Sequence, residues 1–127
     1  MVALPYARET YQEMQVLSAD SRRLVVLLFE GACRFLYRGR EALQAQRYEE
    51  QSECLLRVQR IYGELSAALD RRQGGKLVAS LRALYGHIGA LLQEANMQGD
   101  LARLDEALGL TEKLCRAWKE AETLCQA

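Results

Sequence analysis

The stretch from Leu77 to Trp118 constrains the fold more than any other part of this chain. Leu77, Leu81, Leu84, Ile88, Leu91 and Ala95 recur at intervals of three and four, which predicts one long amphipathic helix. After Gly99-Asp100 the rhythm resumes with Leu101, Leu104, Leu108, Thr111, Cys115 and Trp118. Gly99 suits the left-handed residue that ends a helix, and Asp100 suits the N-cap of the next. Two long helices joined by so short a turn fold back antiparallel, and that is half of a helical bundle.

The preceding residues repeat the design. Between Ser21 and about Gln46, Leu24, Leu28, Gly31, Phe35, Gly39 and Ala42 form a stripe, widened by Val25, Phe29, Ala32, Leu36 and Leu43. Between Glu49 and Asp70, Cys54, Leu55, Val58, Ile61, Tyr62, Leu65, Ala68 and Leu69 form another. Polar residues from Gln44 to Glu50, and Arg71-Arg72-Gln73-Gly74-Gly75, separate the segments. The only proline is Pro5, and no alternating strand pattern flanked by hairpin turns occurs. The expectation is an all-α, antiparallel up-down-up-down four-helix bundle in a single domain, residues 1–127, with helices over about 21–46, 49–70, 76–98 and 101–124. Each helix spans about 30–40 Å. Residues 1–19 form an N-terminal arm or short helix, read as too irregular to join the bundle.

Composition removes several function classes. The chain carries 17 basic and 17 acidic side chains, whereas a protein that holds nucleic acid by neutralising phosphates shows a basic excess. Arg34, Arg38 and Arg40 cluster on the first long helix, a pattern expected of a solvated helix face. The apolar run Leu24 to Phe29 is too short to cross a bilayer, so membrane insertion is not expected. Pro5, Arg8 and Glu9 interrupt the place where a signal peptide needs an apolar core, so the expected compartment is the cytoplasm. There Cys33, Cys54, Cys115 and Cys125 are expected to be free structural thiols, with neither metal nor disulfide.

No catalytic constellation fits, so the chain is not read as an enzyme and no cofactor is expected. There is no CxxC pair for zinc, and the residue three before His87 is Leu84, not the Glu of a di-iron bundle. Gly74-Gly75-Lys76 lacks the following Ser or Thr of a phosphate loop and reads as an interhelical turn. His87, the only histidine, opens an alternative: a histidine phosphotransfer module, which is also a four-helix bundle. No lysine follows it to neutralise phosphate, and the expectation is a partly buried histidine at the edge of the apolar stripe. A structural, homodimerising bundle is the other alternative.

Ordered motifs then point to a family. Val16-Leu17-Ser18-Ala19 leads into the first long helix, followed by Leu27-Leu28-Phe29-Glu30-Gly31-Ala32 and Phe35-Leu36. Leu65, Leu69-Asp70, the Gly74-Gly75 turn, Leu81 and Leu84-Tyr85 come next. Glu94-Ala95-Asn96, Gly99-Asp100, Leu104-Asp105-Glu106-Ala107-Leu108-Gly109-Leu110 and Trp118 complete the set. Over about Tyr11 to Ala121 the chain resembles the FliS family, flagellar export chaperones that hold flagellin before secretion. It departs at Ser21, where the family usually has proline, so that Asp20 is expected to cap the helix. Glu30 also replaces an aspartate, and Gly86 and His87 take places commonly held by aspartate and an aromatic.

The resemblance implies a chaperone that binds the disordered C-terminal segment of flagellin, prevents premature polymerisation and delivers it to the type III export apparatus. Export-gate proteins and co-chaperones are further partners it brings into view, and the state is monomer or homodimer. A disordered apolar segment orders in grooves between helices by burying side chains at helical spacing. Candidate groove residues are Val25, Phe29 and Leu36 on the first long helix, Ile61 and Leu65 on the second, and Leu81 and Tyr85 on the third. The arm adds Tyr6, Tyr11, Val16 and Leu17, apolar residues expected to fold over part of the groove when it is empty.

Overall fold

Five helices account for nearly all of the chain in the computed structural model, which describes residues 7–70 and 76–126: α1 (Ala7–Gln15), α2 (Ala19–Gln44), α3 (Tyr48–Asp70), α4 (Lys76–Gln98) and α5 (Leu101–Gln126). No strand occurs among the described residues. The Gly74-Gly75 turn and Tyr6 lie outside them.

Residue pairings show that the long helices run antiparallel to their neighbours. From one end of α2 to the other, Arg23 meets Glu122, Glu30 meets Lys119, Tyr37 meets Glu112 and Arg40 meets Asp105 on α5. On α3, Tyr62 packs on Tyr85 of α4, and Gln51 bonds Asn96 further along. With α4 also packed on α5, the four long helices close into an all-α up-down-up-down bundle, and α1 packs against α5.

Short-range chemistry sets the helix ends. Ser18, in extended conformation, accepts a 3.2 Å hydrogen bond from Ser21 N–H and caps α2. The cap is therefore Ser18 and not Asp20; Asp20 instead places a carboxylate in the first turn, where the helix dipole favours it. At the other end of α2, Gln46 takes φ 61°, and N–H groups of Gln46 and Arg47 bond back to Leu43 and Ala42 carbonyls. Gly99, at φ 63°, closes α4 in the same way, with Asp100 N–H donating to Ala95. Asp100 then caps α5 by accepting from Arg103 N–H at 3.3 Å.

The core is centred on four aromatic rings, one from each long helix. Phe29 stacks on Trp118 at 6.0 Å and meets Tyr62 and Tyr85 at 6.1 and 6.2 Å, with Tyr62 and Tyr85 5.5 Å apart. The Tyr62 hydroxyl shares a buried 2.7 Å hydrogen bond with Thr111, so its polar end is satisfied. Both tyrosine hydroxyls are pushed above their ordinary pKa by burial.

Of the two forms expected of the N-terminal segment, arm or short helix, the chain takes the short helix, and that helix is regular enough to pack on the bundle. Its helix α1 buries Thr10 and Met14 completely, and the Met14 carbonyl accepts a 2.9 Å hydrogen bond from Arg22 Nε. Tyr11, Met14 and Leu17 lie three residues apart, enough for one short apolar stripe.

Candidate functional site

One cavity of about 490 Å³ opens beside the aromatic cluster, between the start of α2 and the end of α3. Glu13 and Leu17, at the end of α1 and just beyond it, supply one side. From α2 come Ser21, Leu24, Val25 and Leu28; from α3 come Glu64, Leu65, Ala67, Ala68 and Leu69. Tyr85 and Trp118 also line it. The wall is apolar apart from Ser21, two carboxylates and the indole N–H of Trp118. Leu24 is 57% exposed and Val25 and Leu28 are half-buried, so this surface is open to a partner. The Trp118 indole N–H lies beside the Tyr85 hydroxyl without meeting it in good hydrogen-bonding geometry, which leaves a buried donor at the cavity.

Of the candidates named from sequence, the fold brings Leu17, Val25, Leu65 and Tyr85 together around this cavity. Phe29, Leu36 and Leu81 are fully buried in the core and reach no surface in this conformation. Tyr11 and Ile61 are half-buried beside the core, while Val16 is 64% exposed outside the cavity. The stripe on α2 is rotated from the expected one. Val26, Phe29, Ala32 and Leu36 face inward, and Leu24 faces out. The sequence did hold a signal for this. Six consecutive apolar residues, Leu24 to Phe29, cover every side of a helix, so some must face away from the core.

Other expected sites resolve into structural roles. Arg40 pairs with Asp105 at 2.6 Å, and Arg38 and Arg57 both stand over the Phe35 ring. His87 is exposed on α4, not partly buried, because Leu84, Tyr85, Ile88, Leu91 and Leu92 occupy the inward face. Among the described residues no group of His, Cys, Asp or Glu is placed to hold a metal ion, and no helix is long and apolar enough to cross a membrane.

The α2/α5 seam adds a contact the sequence did not announce. Cys33 and Cys115 face each other across the seam, between the 2.9 Å Glu30–Lys119 ion pair and the 2.7 Å hydrogen bond from Tyr37 to Glu112. The neighbouring Cys33 thiol, aided by the Lys119 ammonium, lowers Cys115 against the effect of burial, and the same interaction pushes Cys33 up. Lys119 also holds the Glu30 carboxyl below the usual carboxylate range.

Comparison with known proteins places this geometry. The family model for the flagellar protein FliS matches residues 3–124. The chain belongs to the FliS family. It is 30% identical over 123 residues to the flagellar secretion chaperone FliS of Campylobacter jejuni, covering 94% of this chain and 96% of that one. It is 32% identical to the flagellar secretion chaperone FliSB of Pseudomonas aeruginosa, over 93% of this chain and 94% of the relative. With FliS of Bacillus subtilis the identity is 31%, over 92% of this chain and 85% of the relative. The motifs that carry the resemblance do structural work here. Asn96 bridges Gln51 and Ser52 of α3, Gly99 and Asp100 build the last turn, Asp105 holds Arg40, and Trp118 stacks on Phe29.

Proposed function

We propose that this chain is a cytoplasmic export chaperone whose apolar cavity takes the disordered C-terminal segment of flagellin. Holding that segment prevents its premature polymerisation and presents it to the type III export apparatus. The reading is supported by the family membership, and most directly by the open apolar wall formed by Leu24, Val25 and Leu28 against Leu65 and Ala68. An amphipathic segment laid there buries side chains at helical spacing and needs neither nucleotide nor covalent chemistry for its release. Ordering a disordered chain costs entropy, so the segment must extend over more surface than this cavity alone. Further partners in this reading are export-gate proteins and co-chaperones.

In the same reading, α1 lends one side to the empty cavity through Glu13 and Leu17 and shifts when the segment enters. Hydrogen exchange in α1 then quickens on addition of client; unchanged exchange removes this part of the reading. Calorimetry with the isolated flagellin segment tests the whole. The expected result is one-to-one binding, micromolar or tighter, with a negative heat-capacity change from apolar burial. A flat titration well above micromolar concentration overturns it.

A further inference from the structure

The cysteine pair on the α2/α5 seam lies apart from the client cavity and has no part in the reading above. Cys33 is half-buried and Cys115 is buried, and the two stand opposite one another in mid-helix, where both backbones are held by their own turns. Cross-helix contacts at Glu30–Lys119 and Tyr37–Glu112 fix the register one turn to either side. Two thiols so held cannot drift apart as exposed cysteines do. The half-buried Cys33 gives a small oxidant a path to the pair, and Lys119 supplies the positive charge that favours a thiolate.

We propose that Cys33 and Cys115 are a redox modification site, closing a reversible intramolecular disulfide between α2 and α5 when a hydroperoxide is present. The Cys115 thiolate attacks one peroxide oxygen; the O–O bond breaks, and the departing hydroxide takes up a proton to leave as water. Cys115 is then a sulfenic acid. The Cys33 sulfur, giving up its proton, attacks the Cys115 sulfur, and the S–O bond breaks to release a second water. Two thiols lose two electrons and one hydrogen peroxide becomes two waters, so the step balances with hydrogen peroxide as sole oxidant. Neither Cys54 nor Cys125 is needed. A thiol pair with one sulfur of lowered pKa and the other placed to resolve it is the arrangement found in redox-sensing cysteines.

The test uses the full chain. It is treated with hydrogen peroxide, unfolded in the presence of an alkylating reagent, and analysed by peptide mass spectrometry before and after reduction. The expected product is a monomer lighter by two hydrogens, with a Cys33–Cys115 cross-link, free Cys54 and Cys125, and full recovery of thiols with reductant. Its midpoint of urea unfolding rises, because the link closes a long loop in the unfolded chain, and returns on reduction. Cys54→Ser and Cys125→Ser form the same link. In Cys33→Ser the disulfide is lost and Cys115 is recovered as sulfenic or sulfinic acid. Alkylation of both Cys33 and Cys115 after oxidation, a link to another cysteine, or a link between chains overturns the proposal. The outcome is independent of whether flagellin binds.

Discussion

Helices α2 and α3 lie side by side, yet the two ends of their seam are built differently. Near the Ala45–Arg47 turn, Gly39 presses so closely on α3 that a Cβ would stand 3.2 Å from Leu55 Cδ2 and 3.3 Å from Cys54 Cβ. Ala42 and Leu43 are buried there, and Gln51, Ser52 and Asn96 tie α3 to α4. At the opposite end, Leu24, Val25 and Leu28 face Leu65, Ala67 and Ala68 around the cavity. A glycine opposite a leucine lets the backbones approach and the seam shut. Branched side chains opposite alanines hold the helices apart without filling the space between them. The closed end fixes the bundle and leaves the open end free to accept a partner.

The largest way to break the contrast is to hollow the closed end. Leu55 is fully buried there, so Leu55→Ala is expected to cost about 2–5 kcal/mol of stability, read from urea unfolding. The fraction that remains folded keeps its affinity for the flagellin segment, since Leu55 does not line the cavity. A loss below about 1 kcal/mol means that the closed end is looser than its contacts indicate.

The matching change at the open end separates the two properties the other way. Leu24 is 57% exposed and already in contact with water, so Leu24→Asp is expected to alter stability by no more than about 0.5 kcal/mol. It puts a charge on the apolar wall beside Glu13 and Glu64, and the affinity for the segment falls at least about tenfold, or about 1.4 kcal/mol. Calorimetry on the folded variant checks this, and unchanged affinity shifts the client off this wall.

How much of this was legible in the sequence depended on how local each cause is. The Gly99-Asp100 turn was readable because a left-handed glycine and an N-cap act within a few residues. The cap of α2 was misplaced by two residues because Ser18 and Asp20 both suit the role, and only the Ser18–Ser21 bond decides between them. The inward face of α2 could not be chosen from an apolar run that encircles the helix. Phe29 is placed at the centre by Tyr62, Tyr85 and Trp118, which come from three other helices. The meeting of Cys33 and Cys115 depends on the register of α2 against α5, which no spacing within either helix reveals. The exposure of His87 has a local cause that the sequence does carry: the apolar residues on both sides of it claim the inward face of α4.

The smallest effect sharpens the comparison most, because it uses one chemical change at two glycines. Replacing a helical glycine by alanine gains about 1 kcal/mol where the added methyl meets nothing, since the unfolded chain loses freedom and the helix is favoured. Gly63 on α3 is exposed, with no atom within 4 Å of an added Cβ. Gly63→Ala is therefore expected to raise stability by about 0.5–1 kcal/mol. At Gly39 the same methyl meets Leu55 and Cys54. The Leu55 methyl can rotate by a few tenths of an ångström, but the Cys54 Cβ is bonded to its backbone and moves only if α3 moves. Overpacking of this kind costs about 1–3 kcal/mol, which offsets or exceeds the gain in helix propensity. Gly39→Ala is expected to lower stability by about 1 kcal/mol, placing the two variants on opposite sides of the parent in the same urea series. If both gain equally, α2 and α3 have room to part at Gly39, and the closed end is not the anchor that holds the cavity open.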